Sequence, residues 1–80
     1  MENEKLKELT AMHDLFVKHA PTGAALLDFI KRPDEYIVLY REDSNICTPY
    51  IIHHLNDSGL YYGRYYSNGW LAWIDFAKMK

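Results

Sequence analysis

The four histidines and the single cysteine have the widest chemical repertoire in this chain, and their spacing decides how much of it they can use. His53 and His54 are adjacent in a stretch that reads as a strand. Their side chains therefore point to opposite faces and do not converge on one metal ion. His13 and His19 lie on a helical stretch, roughly 240° apart around its axis. With one cysteine and no His-x-x-x-His pair, no zinc set is expected. Cys47 could be paired with His53 or His54 as nucleophile and base. A reactive thiolate needs a positive field or a helix N-terminus, and Cys47 falls in a predicted strand before Thr48 and Pro49. It is expected in the core, where cysteine is often found. Gly23, Gly59, Gly63 and Gly69 are scattered and form no phosphate-cradling loop. No acidic pair stands in a hydrolytic context. The expectation is a non-enzymatic protein with no cofactor and no metal site.

Tyrosine carries more information. Aromatics make up 15% of the chain, and seven of them are Tyr. Strict alternation puts Tyr36, Val38 and Tyr40 on one face of a strand, with Ile37 and Leu39 on the other. In a later strand it groups Tyr62, Arg64 and Tyr66 opposite Tyr61 and Tyr65. Tyr and Arg are enriched at protein–protein hot spots, and the same types stack nucleobases. Charge decides between these uses. The net charge is −2, with five basic and seven acidic residues through Glu35 and four of each beyond it. Single-strand binders need a positive groove, so a protein partner is favoured and nucleic acid disfavoured.

The elements that position these residues are read from periodicity. Residues 3–20 predict an amphipathic helix with Leu6, Leu9, His13, Phe16, Val17 and Ala20 on its apolar stripe, stopped by Pro21. Thr22 caps a predicted second helix from Gly23 to about Lys31, with Leu26, Leu27, Phe29 and Ile30 as its apolar face. The pair would form a helical hairpin. It is no DNA reader, because its only cations, Lys31 and Arg32, sit at the C-terminal end of the second helix. Strands are predicted over 35–41, 46–56 and 60–67, joined by short turns into an antiparallel meander. Pro49 implies an edge or a bulge in the middle strand. Ser67 or Asn68 caps a last helix over 69–78, apolar almost all round except at Asp75 and Lys78. Either the first two helices pack over it or it meets another molecule. The fold class is α+β, in the order ααβββα, as one domain over residues 1–80.

A chain of this composition lies far from the disordered class, with 49% apolar and 25% charged residues. One cysteine leaves no intrachain disulfide framework. The charged start, Met1-Glu2-Asn3-Glu4-Lys5, has no apolar core of a signal peptide, and no apolar run reaches the roughly 20 residues of a membrane span. A cytoplasmic location and no membrane partner are expected.

Gly59-Leu60-Tyr61-Tyr62-Gly63-Arg64-Tyr65-Tyr66-Ser67, followed by a helix with Ala72 and Phe76, resembles small proteins of bacteriophages and mobile elements. These end in a tyrosine-rich strand, G-x-Y-[FY], leading into an A-x-x-x-F helix. The resemblance covers about the last twenty residues, and Asn68-Gly69-Trp70 stands where those proteins more often carry acidic residues. It implies an anti-defence inhibitor, of which anti-CRISPR proteins are one kind, that blocks a host effector stoichiometrically inside a bacterial cell. The expected binding surface is Tyr62, Arg64 and Tyr66 with Trp70 on the rim of the last helix. Glu42, Asp43 and Asp57 would face a basic channel on the effector. Two alternatives stand beside it: a single-strand nucleic-acid binder using the Tyr/Arg face, and a small homo-oligomer, such as a homodimer paired through the last helix.

Overall fold

Tyr36–Arg41 (YIVLYR) is apolar on every interior position, which a strand tolerates only when both of its faces are covered. A computed structural model of the chain describes residues 2–80, with the side chains of Glu4 and of residues 6–80, and shows how the covering is done. Two helices and four strands follow in the order α1 (Glu2–His19), β1 (Ala25–Lys31), β2 (Tyr36–Arg41), β3 (Tyr50–Asn56), β4 (Gly59–Tyr66) and α2 (Gly69–Lys78). The strands form one antiparallel sheet in sequence order, β1-β2-β3-β4.

The helices lie on opposite faces. Met12 and Phe16 of α1 pack on Val38, Tyr40, Ile51 and Leu55. Ala72 and Phe76 of α2 pack on Ile37, Leu39 and Ile52. The alternation of β2 is thus read by two cores: even-numbered residues feed α1 and odd-numbered ones α2. Tyr40 meets the Phe16 ring edge-on at 5.2 Å, a favoured aromatic geometry.

The predicted second helix is a strand. Thr22 and Gly23 are the centre of a turn closed by Ala24 N–H on the Pro21 carbonyl at 3.1 Å, and Gly23 takes φ +88°, as position three of such a turn requires. The apolar spacing of Leu26, Leu27, Phe29 and Ile30 looked helical because β1 contains a bulge. Leu26 pairs with Tyr40 and Asp28 with Leu39, so Leu27 is the extra residue. The insertion brings Leu26 and Phe29, three apart, onto the α1 side, while Ile30 joins the α2 core. The helical hairpin and the three-strand count are corrected accordingly.

Two smaller corrections follow. The buried stripe of α1 is Met12 and Phe16, flanked by Leu15 and Ala20, while Leu6, Leu9, His13 and Val17 are exposed. β3 starts at Tyr50, so Pro49 and Cys47 lie in the preceding loop, and Cys47 is exposed rather than in the core. The last helix is as predicted, with Asn68 as N-cap accepting from the Trp70 N–H at 2.8 Å.

Candidate binding surface

β4 is an edge strand and also carries a bulge. Ile52 pairs with Arg64 and His54 with Tyr61, so Tyr62 and Gly63 together oppose His53. Tyr62 takes φ +52°, a left-handed conformation uncommon for a bulky side chain. Backbone strain of this kind clusters at functional sites. Gly63 is demanded by space. A Cβ there would lie 2.5 Å from His53 Nε2 and 2.8 Å from the Tyr65 ring.

The bulge also reassigns faces. The alternation that set Tyr61 opposite Arg64 and Tyr66 fails, because the extra residue moves Tyr61 to their side. Tyr61 pairs with His54, and Arg64 with Ile52 of the α2 core. On that side the rings of Tyr61 and Tyr62 lie 4.9 Å apart, and both lie on His54, at 5.4 and 5.7 Å. Glu35 anchors the group: Oε2 is 2.5 Å from His54 Nδ1, and Oε1 accepts from the Tyr61 hydroxyl. Farther along β4, the Tyr66 hydroxyl donates to Asp75 of α2 at 2.8 Å. Burial first, and then Asp75, pushes the Tyr66 phenol above its ordinary range.

On the α1 side, His53 Nδ1 is 2.9 Å from the Tyr40 hydroxyl, and the Tyr65 hydroxyl is 3.4 Å from Nε2. Burial is the main cause that holds the His53 imidazole below its usual pKa, with His54 adding to it. Burial likewise pushes the Tyr40 phenol far up, so both groups are neutral partners near pH 7. The sign for stability follows from linkage. The unfolded imidazole takes up its proton at about 6.5, while the folded one holds out to lower pH. Stability from this group is therefore complete above pH 6.5 and falls away as pH drops toward the folded pKa. Urea midpoints of wild type and His53→Gln, measured from pH 7.5 to 4.5, should show a shallower acid loss in the variant. Parallel curves would remove His53 as the cause.

The expected site residues are not gathered in one place. Tyr62 and Arg64 are exposed on β4, and Tyr66 is half-buried under its bond to Asp75. Trp70 is 75% exposed on α2. Glu42 and Asp43 lie in the β2–β3 loop, Glu42 toward Tyr40 of the α1 side and Asp43 paired to Arg41 at 2.6 Å. Asp57 lies in the β3–β4 turn at the other end of the sheet, where it helps line a cleft of about 480 Å³ with Lys31, Asp34 and Glu35. Sequence reading missed Glu35 and Leu71, and weighed His54 only as a metal ligand or as a base for Cys47. The outward position of Leu71, Trp73 and Ile74 could not be read from a helix apolar all round, because the inward face is set by Ala72 and Phe76 alone.

Among the described residues no group of three His, Cys, Asp or Glu is placed to hold a metal ion, and no helix is long and apolar enough to cross a membrane. No protein-family model, curated protein or solved structure matches this chain.

Proposed function

We propose that this chain is a protein-binding module whose working surface is the outer face of α2 and the adjoining part of β4. The observation that carries the reading is the exposure of Trp70, Leu71, Trp73 and Ile74 on a ten-residue helix whose inner face is already satisfied. Contiguous apolar surface of this kind is what interfaces cover, and Trp is the residue most enriched at their hot spots. Arg64 joins the two parts: it lies beside Tyr66, which reaches Asp75 of α2. The finer form of the proposal is a phage- or mobile-element-encoded inhibitor that occupies a host effector without turning anything over. Its strained Tyr62 fits that role, since a ring held out at a bulge is presented to a partner without further ordering.

The test is affinity capture from bacterial lysate with wild type, Trp70→Ala and Tyr62→Ala, with captured protein quantified by mass spectrometry. One partner near equimolar ratio, reduced at least about tenfold by truncating a hot-spot ring, is the expected result. Recovery of no stoichiometric partner, or of one indifferent to both substitutions, removes the inhibitor reading.

A further inference from the structure

Each of the four histidines has two ring nitrogens, and the fold leaves them in different states. Both nitrogens of His53 are engaged, by the hydroxyls of Tyr40 and Tyr65 at 2.9 and 3.4 Å. His19 Nε2 is shut off from solvent without a partner. His13 is exposed on α1, and nothing among the described residues ties its ring. His54 alone has one nitrogen tied and the other free. Its Nδ1 is 2.5 Å from Glu35 Oε2. Its Nε2 makes no hydrogen bond among the described residues and reaches solvent, in a side chain 27% exposed.

The tie to Glu35 has a direction. A carboxylate can only accept, so Nδ1 carries the hydrogen and the lone pair of the neutral ring is on Nε2. The other oxygen of Glu35 accepts from the Tyr61 hydroxyl, which pins the carboxylate. Tyr61 packs tilted on the imidazole and Tyr62 meets it edge-on, at 84°, so the ring plane is held as well. A carboxylate behind an imidazole raises the basicity of the far nitrogen and fixes its aim.

We infer that His54 Nε2 is a phosphoryl-accepting nitrogen, loaded from a donor of the phosphoramidate class. In the step, the Nε2 lone pair forms a bond to phosphorus as the donor's P–N bond breaks. The bonding pair leaves with the donor nitrogen, which departs as the amine. The ring then carries hydrogen on Nδ1 and phosphorus on Nε2, so it is an imidazolium. Glu35 stabilises that positive charge where it forms, as the carboxylate of a catalytic triad does. Arg64 serves the other end of the new bond. It pairs with Ile52, two residues before His54 on the same face, and it is exposed. Its planar fork of donors suits phosphoryl oxygens, whereas an acyl group would make no use of it. The inference concerns the β3–β4 corner and stands apart from what covers α2.

Potassium phosphoramidate and the purified chain test it, at mildly alkaline pH, with sites mapped by mass spectrometry and the linkage read by ³¹P NMR. The expected result is first modification at His54, on Nε2, ahead of the more exposed His13. Glu35→Ala should slow loading of His54 about tenfold, within the range for removing the carboxylate behind a working imidazole. Glu35→Gln keeps an acceptor for Nδ1–H without the charge, so its rate should lie between the two. His13 should load at one rate in all three chains, which separates the effect from a change in fold or reagent. Nitrogen-15 NMR of the wild-type imidazoles adds a test that needs no variant, with His54 expected as the Nδ1–H tautomer. His13 loading as fast as His54, linkage through His54 Nδ1, or the Nε2–H tautomer would each overturn the inference. So would a Glu35→Ala chain that loads His54 at the wild-type rate.

Discussion

Phe76→Ala should cost about 3–5 kcal/mol, the usual range for emptying a fully buried phenylalanine site. Trp70→Ala, in the same ten-residue helix, should change stability by less than about 0.5 kcal/mol. Phe76 has no exposed surface and sits with Ala72 on Ile37, Leu39 and Ile52, whereas Trp70 is 75% exposed. The contrast matters because Phe76 is the one large side chain of α2 that is fully buried. A domain of 80 residues has about 4–12 kcal/mol in total, so losing the Phe76 contact removes a large share of it. Urea unfolding followed by circular dichroism gives both numbers. Equal losses for the two aromatics would mean that Trp70 is not on the outer face, and the binding surface proposed for α2 would fall with it.

Gly63→Ala should be the next most costly change, at about 1–3 kcal/mol, in the range of overpacking. Alanine elsewhere in a strand is usually an improvement on glycine. Here the new Cβ would meet His53 Nε2 at 2.5 Å and the Tyr65 ring at 2.8 Å. Tyr65 is exposed and can swing away, but His53 is stacked on Tyr40 at 5.8 Å and bonded to its hydroxyl. Moving His53 leaves the buried Tyr40 hydroxyl without its partner. A double-mutant cycle separates this clash from a general strand effect. In a His53→Ala background, Gly63→Ala should cost much less than it does in wild type. If the two losses simply add, the close approach at the bulge is not what requires glycine at position 63.

The two strands whose face pattern sequence reading misjudged are the two edge strands, and for one reason; in β3 only the start was misplaced. β1 and β4 each contain a bulge. An extra residue turns a two-residue repeat into a three-residue step. In β1 this made Leu26 and Phe29 look like neighbours on a helix. In β4 it moved Tyr61 to the face of Arg64 and Tyr66. Bulges twist an edge strand away from edge-to-edge pairing, so they belong where a sheet ends. Nothing in the local residue pattern says which strands are the outermost ones. The central strands have no such insertion between them, and there the alternation of Tyr36 through Tyr40 read correctly. So did the opposed directions of His53 and His54, which end in separate hydrogen-bond groups.

Sequence by itself determined the α+β class, the first and last helices, the turn at Asp57-Ser58, a cap at Ser67 or Asn68 and the inward–outward alternation of β2. Each of these depends on interactions within a few residues, or on a repeat that the neighbouring chain does not disturb. Tertiary structure alone decided that residues 25–31 are a fourth strand, that α1 and α2 cover opposite faces, and that Trp70, Leu71, Trp73 and Ile74 point outward. A helix apolar on all sides has no preferred inner face of its own. The sheet chose Ala72 and Phe76, because a small residue lets the helix approach and a large one fills the space over Ile37, Leu39 and Ile52. What remained outside became the surface left for a partner.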